Sequence, residues 1–384
     1  MTEWREFKIK DIADVVGGGT PSTAINEYWN GDIPWLTPKD LTGYIRNFIS
    51  HGERFITKKG LENSSARLLP KGTVLLTSRA PIGYVAIAEN EICTNQGFKS
   101  LVPNPDKAHN LFLLYWIKSN VEYLQSIGTG TTFQEISGSV LKDVDIILPP
   151  LPEQKAIAEV LSSLDDKIDL LTRQNKTLED LAQAYFRKWF IEDASDEWEE
   201  KGLDEIADFL NGLPLQKYPY KTGNPLYVIK IKELNNGFTD SSDLCSADIP
   251  EQYIVCPGDV IFSWSGSLQV DIWKYGKGAL NQHLFKVTSR YYPKWFYYFW
   301  IKYHLPEFKM IAESKATTMG HIQRKDLSNA IVLVPDGQEL NFIDNIMSPL
   351  IEKIEHNNAQ VLVLQKLRDT LLPKLISGEV RVNI

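Results

Sequence analysis

The chain carries one sequence plan twice, and this repeat restricts the possible folds more than any other feature. A shift of 186 residues superimposes the second half on the first over long stretches, and near the start the shift is about 194. The matched positions include Asn95-Gln96 with Asn281-Gln282, Thr131-Thr132 with Thr317-Thr318, Pro149 with Pro335, and Trp4 with Trp198. A tandem duplication predicts a molecule with internal pseudo-two-fold symmetry. Such symmetry suits a target that is itself roughly two-fold, of which duplex DNA is the obvious example.

Each copy begins with a globular part in which strands and helices are mixed. Short β-rich runs bounded by turn residues predict strands over Thr73–Thr77, Gly83–Ile87 and Val144–Leu148. Helical spacing of apolar residues predicts one helix over Leu111–Ile127.

A long heptad pattern follows each globular part. Apolar residues alternate at steps of four and three over about four heptads, which is typical of a coiled-coil seam. The seam positions are Ile157, Leu161, Leu164, Ile168, Leu171, Asn175 and Leu178 in the first copy, and Ile343, Met347, Leu350, Ile354, Asn357, Val361 and Leu364 in the second. An amphipathic helix packed on a globular core is the alternative, but unbroken heptads in both copies favour the coiled coil.

Each seam contains an asparagine, Asn175 in one copy and Asn357 in the other. A buried seam asparagine lowers stability but fixes register and orientation. Our hypothesis is that the two helices pack antiparallel within one chain and that these asparagines help to set the register. The alternative is that both face solvent at a gap.

These patterns predict an α+β fold. It consists of two tandem domains of mixed α/β type, each followed by a long helix, and the two helices form an antiparallel coiled coil with pseudo-two-fold symmetry. The predicted boundaries are residues 1–150 for the first domain, 151–191 for its helix, 192–335 for the second domain and 336–384 for the last helix.

The charge distribution leaves a nucleic-acid partner open. The formal net charge is −8. Nine acidic residues and only one basic residue, Lys201, lie between Ile191 and Asp208, so this short run accounts for the whole imbalance. The rest of the chain is balanced and has room for local basic surfaces. We interpret the acidic run as a solvated linker.

The composition favours a cytoplasmic protein with no membrane contact. No apolar run approaches the length of a membrane span, and the start of the chain lacks the features of a signal peptide. The three cysteines, Cys93, Cys245 and Cys256, form no C-x-x-C pair, which fits a reducing compartment without disulfides or a zinc site.

No catalytic signature is convincing. The sequence has no phosphate-binding Walker loop, no nucleophile elbow and no zinc-protease motif. Glu313-Ser314-Lys315 resembles the end of a nuclease motif but lacks an acidic partner. We therefore predict no catalytic residue, no metal site and no cofactor in this chain, which favours a binding protein over an enzyme.

Polar loops recur at matching places in the two copies. Hydroxyl, amide, imidazole and cationic side chains are the groups that contact base edges and phosphates. The candidate DNA-binding residues of the first copy are Lys39, Thr77, Ser78, Arg79, Asn95, Gln96, Lys99, Thr131, Thr132 and Gln134. Those of the second copy are Lys230, Lys232, Ser263, Trp264, Ser265, Ser267, Asn281, Gln282, His283, Lys286, Thr317, Thr318 and His321. The guanidinium of Arg79 is suited to pair with guanine. The side-chain amides of the two Asn-Gln pairs are suited to pair with adenine. For any single residue the alternative is a structural role, because Thr and Asn often stabilise turns.

Several local phrases, taken together with the order domain, helix, domain, helix, resemble the specificity subunits of Type I restriction-modification systems. The resemblance covers essentially the whole chain. The phrases are Gly18–Ser22 (GGTPS), Ile33–Leu41 (IPWLTPKDL), Leu75–Gly83 (LLTSRAPIG), Leu148–Gln154 (LPPLPEQ), Gly258–Ser267 (GDVIFSWSGS) and Leu371–Glu379 (LLPKLISGE). The second copy departs from the first at Pro335–Glu339 (PDGQE) and after Asn211-Gly212, where the triple glycine is missing.

The resemblance implies a mechanism. The two globular parts would be target-recognition domains, each reading one half of an asymmetric, bipartite site in double-stranded DNA. The helices would set the spacer between the halves and dock two methyltransferase subunits, which bring S-adenosylmethionine and methylate adenine. Restriction subunits, which combine a motor with a nuclease, would add ATP- and Mg-dependent translocation and cleavage.

Two other functions remain open from the sequence. One is a coiled-coil scaffold whose globular domains bind protein or glycan, for which the ten tryptophans and sixteen tyrosines offer surfaces. The other is a self-contained restriction or methylation enzyme, which the missing motifs disfavour.

Overall fold

The structure, a computed structural model, describes residues 3–130, 134–314 and 320–382. The chain divides into two compact units. Unit 1 contains Met1–Leu170 together with Val363–Ile384, and unit 2 contains Leu171–Leu362. Both long helices contribute one segment to each unit. Within the described residues, no helix combines the length and the apolar character that a membrane span requires.

Unit 1 begins with the first copy of the repeat. Its strands are β1 (Arg5–Lys8), β2 (Ala13–Gly17), β3 (Trp29–Leu36), β4 (Phe48–Ile49), β5 (Arg54–Ile56), β6 (Val74–Ser78), β7 (Ile82–Ala88), β8 (Cys93–Thr94), β9 (Lys99–Pro103) and β10 (Asp145–Leu148). Its helices are α1 (Ile9–Ile12), α2 (Lys58–Glu62), α3 (Asn110–Ser119), α4 (Val121–Ser126), α5 (Gly138–Lys142) and the start of the long helix α6 (Leu151–Arg187). The strands form a five-stranded sheet in the order β2-β9-β6-β7-β4, a three-stranded sheet β5-β3-β8 and the pair β1-β10.

Unit 2 contains the second copy. Its strands are β11 (Glu199–Gly202), β12 (Asp208–Asn211), β13 (Pro225–Ile229), β14 (Leu244–Ser246), β15 (Ile254–Val255), β16 (Val260–Ser263), β17 (Gln269–Ile272), β18 (Gly278–Leu280), β19 (Leu284–Thr288) and β20 (Ile331–Val334). Its helices are α7 (Leu203–Ile206), α8 (Ile231–Asn236), α9 (Lys294–Ser314), α10 (Arg324–Asn329) and most of the long helix α11 (Gly337–Ser377), and a π-helical turn at Lys188–Glu192 extends α6. The sheets have the orders β12-β19-β16-β17, β14-β13-β18-β15 and β11-β20.

The two copies share one topology. The antiparallel order β2-β9-β6-β7 recurs as β12-β19-β16-β17, and the parallel pair β3-β8 recurs as β13-β18. Val74 pairs with Leu101 in one copy, and Val260 pairs with Val287 at the same shift of 186 in the other. The predicted fold class is confirmed: each mixed α/β domain is followed by a long helix.

Two local predictions were wrong. The helix predicted over Leu111–Ile127 is divided at Asn120, whose side-chain amide donates to the carbonyl oxygen of Trp116 at 2.8 Å and ends α3. The acidic run is not wholly a linker. Its second half forms β11, α7 and the start of β12, because Leu203 and Ile206 are buried in the core of unit 2.

Some of the predicted seam residues pack into the cores of the globular domains rather than only against the other long helix. Ile157 and Leu161 lie in the core of unit 1, and Ile343 and Met347 lie in the core of unit 2. All fourteen predicted seam residues are buried or half-buried, and none is exposed. The heptad pattern therefore serves the domain cores as well as the contact between helices.

The two asparagines meet inside unit 2. Asn357 donates from Nδ2 to Oδ1 of Asn175 at 2.9 Å, and Asn175 donates from Nδ2 to Oδ1 of Asn358 at 2.8 Å. Asn357 has no exposed surface, and its Oδ1 has no hydrogen-bond partner in the described structure. The hypothesis that the asparagines face each other across antiparallel helices agrees with this geometry.

The LPPLPEQ phrase joins α6 to its domain. Gln154, which is almost fully buried, accepts from the backbone N–H of His109 at 2.9 Å and donates to the carbonyl oxygens of Lys107 and Pro149. The neighbouring Glu153 pairs with Arg381 near the end of the described chain. The start of α6 is thereby fixed against the loop before α3 and against the segment that follows α11.

A buried carboxylate in unit 1 joins the mixed α/β domain to both long helices. Asp165 of α6 accepts from the Tyr115 hydroxyl at 2.8 Å and from Arg368 of α11 at 2.9 Å, and Lys118 of α3 lies 3.4 Å away. Asn47 donates to the same carboxylate at 3.2 Å. Burial alone raises the pKa of Asp165, but Lys118, Arg368 and Tyr115 outweigh it and hold that pKa below its usual range.

Unit 2 has a related arrangement, in which a half-buried carboxylate of α6 is held by a tyrosine and a lysine of α9. Glu179 of α6 accepts from the Tyr298 hydroxyl at 2.9 Å and from Lys302 of α9 at 2.5 Å. Burial alone raises the pKa of Glu179, and the contacts with Lys302 and Tyr298 lower it below the usual value. In each unit a half-buried lysine and a tyrosine from the domain therefore hold a carboxylate of α6.

We predict that Asp165→Asn destabilises the protein by about 3 kcal/mol at pH 7, because Lys118 and Arg368 lose their buried counter-charge. The folded pKa of Asp165 lies below the unfolded value of about 3.9. Its contribution is therefore complete above that value and is lost as the pH falls through the folded pKa. Urea unfolding from pH 7 to pH 2.5 should show the difference from wild type shrinking at the acidic end. The exposed Asp32→Asn is the control, and a difference that does not depend on pH would contradict the prediction.

We also predict that the double variant Asn175→Leu, Asn357→Leu is more stable than the wild type. It removes a buried, unpartnered amide oxygen and restores an apolar seam, for a gain of about 1 kcal/mol. Thermal unfolding should show Tm higher by about 2–4 °C. The exposed Gln174→Leu is the matched control. A lower Tm for the double variant would mean that the amide pair stabilises the helices rather than only setting their register.

Candidate nucleic-acid interface

Both copies form the same tight turn, which follows β2 in unit 1 and β12 in unit 2. Gly18 follows β2 and lies against the backbone of Asn95, and Gly212 follows β12 and lies against the backbone of Asn281. A Cβ atom at Gly18 would lie 2.0 Å from the carbonyl oxygen of Asn95, and one at Gly212 would lie 2.2 Å from that of Asn281. Only glycine fits either position. The missing triple glycine of the second copy therefore leaves the essential glycine in place.

In each predicted Asn-Gln pair, the asparagine stabilises a turn and the glutamine faces outward. Asn95 Oδ1 accepts from the Gly97 backbone at 2.9 Å, and Asn281 Oδ1 accepts from the His283 backbone at 3.2 Å. These Asx turns occupy the amide oxygens of both asparagines. The next residue in each copy lies farther out, since Gln96 is exposed and Gln282 is half-exposed.

A second loop lies beside this turn in each copy. The backbone of Ile136 donates to the carbonyl of Ser78 at 3.0 Å, which places Arg79 opposite Glu135. In unit 2 the corresponding bond runs from Ile322 to Trp264 at 3.0 Å, which places Ser265 opposite His321. Arg79 and Ser265 are thus equivalent positions, and so are Glu135 and His321.

A third pair of equivalent positions is Lys99 in unit 1 and Phe285 in unit 2. Lys99 pairs with Gly17 on the neighbouring strand, and Phe285 pairs with Asn211. The candidate Lys286 lies one residue farther along. Lys286 lies on the opposite face of its strand, where its ammonium group contacts Asp259 at 2.8 Å and the Ile254 carbonyl at 3.0 Å.

The equivalent positions carry different chemistry in the two units. In unit 1, Arg79 and Lys99 both contact Glu135, at 3.5 and 3.2 Å. In unit 2, Trp264 stands at the corresponding edge, with its ring centroid 5.8 Å from that of Phe285 and 6.2 Å from that of His321. One edge is a charged cluster and the other is aromatic and polar.

Unit 2 contains a cleft beside these loops. Its volume is about 810 Å³. Six predicted site residues line it, namely Lys230, Lys232, Ser265, Asn281, Gln282 and His283, together with Tyr220 and Leu215 from the loop before β13. The structure therefore brings six of the second copy's thirteen candidates around one concave surface.

Three predicted hydroxyls support the loops from inside. Thr77 donates to the carbonyl of Pro81 at 2.7 Å, Ser78 donates to that of Gly97 at 3.1 Å, and Ser263 donates to that of Ser265 at 3.1 Å. None of the three has exposed surface. These hydroxyls therefore shape the loops and are not accessible to DNA.

The predicted lysines already have polar partners. Lys39 contacts Glu53 at 3.1 Å, Lys230 pairs with Asp243, and Lys232 donates to the hydroxyl of Ser241 at 2.5 Å. Lys39 is strongly exposed, so its pair with Glu53 is weak. The remaining candidates Gln134 and Ser267 are exposed, while Thr131, Thr132, Thr317 and Thr318 lie outside the described residues.

A serine and a histidine meet in unit 2 without forming a nucleophile and base. Ser265 Oγ lies 2.9 Å from His283 Nδ1, and Gln282 Nε2 lies 3.3 Å from His283 Nε2. Because an amide nitrogen only donates, His283 accepts at Nε2 and carries its proton at Nδ1. It is then a donor to Ser265. In the described part of the chain no group of three or more His, Cys, Asp or Glu side chains is arranged to hold a metal ion.

The comparisons with known proteins identify the family. The profile of the Type I restriction modification DNA specificity domain matches residues 1–180 and again residues 195–364. The chain belongs to the Type I restriction-modification specificity subunits. The MjaIX specificity subunit of Methanocaldococcus jannaschii is 39% identical over 99% of this chain and 94% of its own length. The EcoR124I/EcoR124II specificity subunit of Escherichia coli is 30% identical over 44% of this chain and 41% of its own. The S subunit structure from M. genitalium matches the fold with a TM-score of 0.64 at 19% identity, covering 100% of this chain and 97% of that one.

A specificity subunit is the DNA-specificity component of a Type I system and is itself non-catalytic, in agreement with the predicted function. Sequence reasoning missed two residues of this specificity subunit's candidate interface. Neither Glu135, which is adjacent to the predicted Gln134, nor Phe285, which is adjacent to the predicted Lys286, was singled out. The repeat shift of 186 residues, which matches Lys99 with Phe285, is the signal that would have identified Phe285.

Proposed function

We propose that each recognition domain reads one half of an asymmetric, bipartite site in double-stranded DNA. The domains are taken as residues 1–150 and 192–335. The observation that carries the proposal is the contrast between equivalent positions. Arg79, Lys99 and Glu135 in one copy correspond to Ser265, Phe285 and His321 in the other. The two domains share one topology but carry different side chains at these equivalent positions. Such a pair of domains is suited to binding two different half-sites.

The exposed groups of these loops suit base edges and phosphates. A guanidinium pairs with O6 and N7 of guanine, and a carboxamide pairs with N6 and N7 of adenine. Arg79, Gln96 and Gln282 are therefore the proposed base contacts, with Gln134, Ser267, His283 and His321 beside them. Lys39, Lys230 and Lys232 are the proposed phosphate contacts, because exposed lysines exchange a weak surface pair for a phosphate at low cost.

The buried and structural candidates act indirectly in this proposal. Thr77, Ser78 and Ser263 hold the loops, and Asn95 and Asn281 hold the turns that present the glutamines. Substitutions at these positions would change recognition by moving the loop.

We infer that the long helices set the spacer between the half-sites and dock two methyltransferase subunits. The helix α6 has 37 residues, which corresponds to about 55 Å. That length spans more than one turn of B-DNA, so the helix pair can place two domains on successive major-groove faces.

The chemistry belongs to partner subunits in this proposal. The methyltransferase subunits bring S-adenosylmethionine for adenine methylation, and the restriction subunits bring ATP and Mg for translocation and cleavage. The complex acts on cellular DNA in the cytoplasm. This chain supplies the sequence information and the geometry, without a cofactor of its own.

A domain exchange tests the proposal. Residues 1–150 are replaced by the corresponding domain of another specificity subunit, and the chain is expressed with its methyltransferase subunit in a host without adenine methylation. We predict that one half-site changes while the other half-site and the spacer stay the same, because residues 192–335 and both helices are unchanged. Genome-wide mapping of methylated adenine measures all three features at once.

The reciprocal exchange of residues 192–335 is the matched control and should change the other half-site. If either exchange altered both half-sites, or altered the spacer alone, the two domains would not read DNA independently.

A further inference from the structure

Glu135 of unit 1 is an acidic side chain at the centre of the proposed DNA-contacting edge. Its backbone is fixed on both sides: its N–H donates to Thr129 at 2.9 Å, and its carbonyl accepts from the N–H of Thr129 at 3.0 Å. The following residue, Ile136, donates to the carbonyl of Ser78, next to Arg79. The carboxylate and the guanidinium are therefore presented from two loops that are joined at their bases.

The two oxygens of this carboxylate have different partners. Oε1 accepts from Lys99 at 3.2 Å, and Oε2 lies 3.5 Å from an Arg79 nitrogen. The side chain of Lys99 is 17% exposed, whereas those of Arg79 and Glu135 are 36% and 37% exposed. Lys99 thus holds the carboxylate from the buried side, and Arg79 and Glu135 face solvent together.

A carboxylate at this place disfavours DNA in general, because it repels phosphates and neutralises part of the charge of Arg79 and Lys99. This unfavourable electrostatic contribution is offset only where the DNA offers a hydrogen-bond donor to the carboxylate. In the major groove, cytosine presents the N4 amino group as a donor, and its partner guanine presents O6 and N7 as acceptors. The donor and the acceptors are neighbours on one base-pair edge, as the carboxylate and the guanidinium are neighbours in unit 1.

We propose that Arg79 and Glu135 form a specificity-determining pair that reads one G·C base pair in the half-site of unit 1. Arg79 donates to O6 and N7 of guanine, Glu135 Oε2 accepts from N4 of cytosine, and Lys99 is the positioning residue that orients the carboxylate. This inference rests on the proposed function and adds to it the identity of one base pair. Unit 2 has no equivalent pair, because Ser265 and His321 occupy these positions.

The isosteric variant Glu135→Gln tests the pair. An amide both donates and accepts, so it no longer distinguishes the cytosine amino group from the thymine O4 acceptor. Adenine methylation is mapped genome-wide for the wild type and the variant, each expressed with the methyltransferase subunit. We expect a G·C pair in the unit 1 half-site of the wild type. In the variant, discrimination against A·T at that single position should fall by roughly tenfold or more, with the other half-site and the spacer unchanged.

Glu62→Gln is the matched control. Glu62 pairs with exposed Lys58 on α2 of the same unit, so the loss of its charge changes the net charge equally and should leave the motif unchanged. Arg79→Lys is a second test, since a lysine keeps the charge but lacks the bidentate geometry. For purified complexes, duplexes that differ only at the identified base pair should lose their affinity difference with Arg79→Lys. Thermal unfolding of each variant confirms that the protein is folded.

The outcomes separate this inference from the proposed function. A bipartite wild-type motif that Glu135→Gln leaves unchanged at every position, or a unit 1 half-site without a G·C pair, would overturn the role of Glu135 alone. Relaxation at both half-sites would also overturn it, because it would indicate a general electrostatic effect. If the wild type produced no bipartite motif, the proposed function itself would fail.

Discussion

The structure depends on two paired carboxylates of the long helix α6, one buried in unit 1 and one half-buried in unit 2. Asp165 in unit 1 and Glu179 in unit 2 both lie on α6, and each is held by a tyrosine and a lysine of the adjacent recognition domain. An unpaired buried charge is strongly destabilising, so the contacts of Asp165 restrict how the domain of unit 1 is oriented on its helices. A helix that sets a spacer must be in rigid contact with its domains, because a flexible contact would allow the separation between the domains to vary.

The repeated topology separates structure from specificity. Gly18 with Asn95 and Gly212 with Asn281 build the same turn, and the strand orders around them are the same. Within this constant frame, Arg79, Lys99 and Glu135 are exchanged for Ser265, Phe285 and His321. In the proposed function, a small number of side chains at equivalent positions would define two different half-sites without any change of fold.

Much of this architecture follows from the sequence. The repeat predicted the duplicated topology, and the heptads predicted two long helices, because both signals extend over many residues. The break at Asn120 was missed, since a single side-chain hydrogen bond decides it. The second half of the acidic run was taken for a linker because Leu203 and Ile206 are too few to show a pattern against nine acids.

The candidate interface was only partly predictable, for a similar reason. The loops were found because their polar residues recur in both copies, whereas burial of Thr77, Ser78 and Ser263 depends on the packing of distant strands. The proposed role of Glu135 depends on its contacts with Arg79 and Lys99, which are 56 and 36 residues away in the sequence. Such contacts arise from strand register, which places Phe285 rather than the predicted Lys286 opposite Asn211.

The most direct test of the account is a map of methylated adenine in a host that lacks such methylation. The methyltransferase subunit is expressed with this chain, and then alone. We predict a gapped, two-part motif with different halves that is present only with this chain. Absence of any motif, with both proteins folded and associated, would contradict it, and so would a motif with two identical halves.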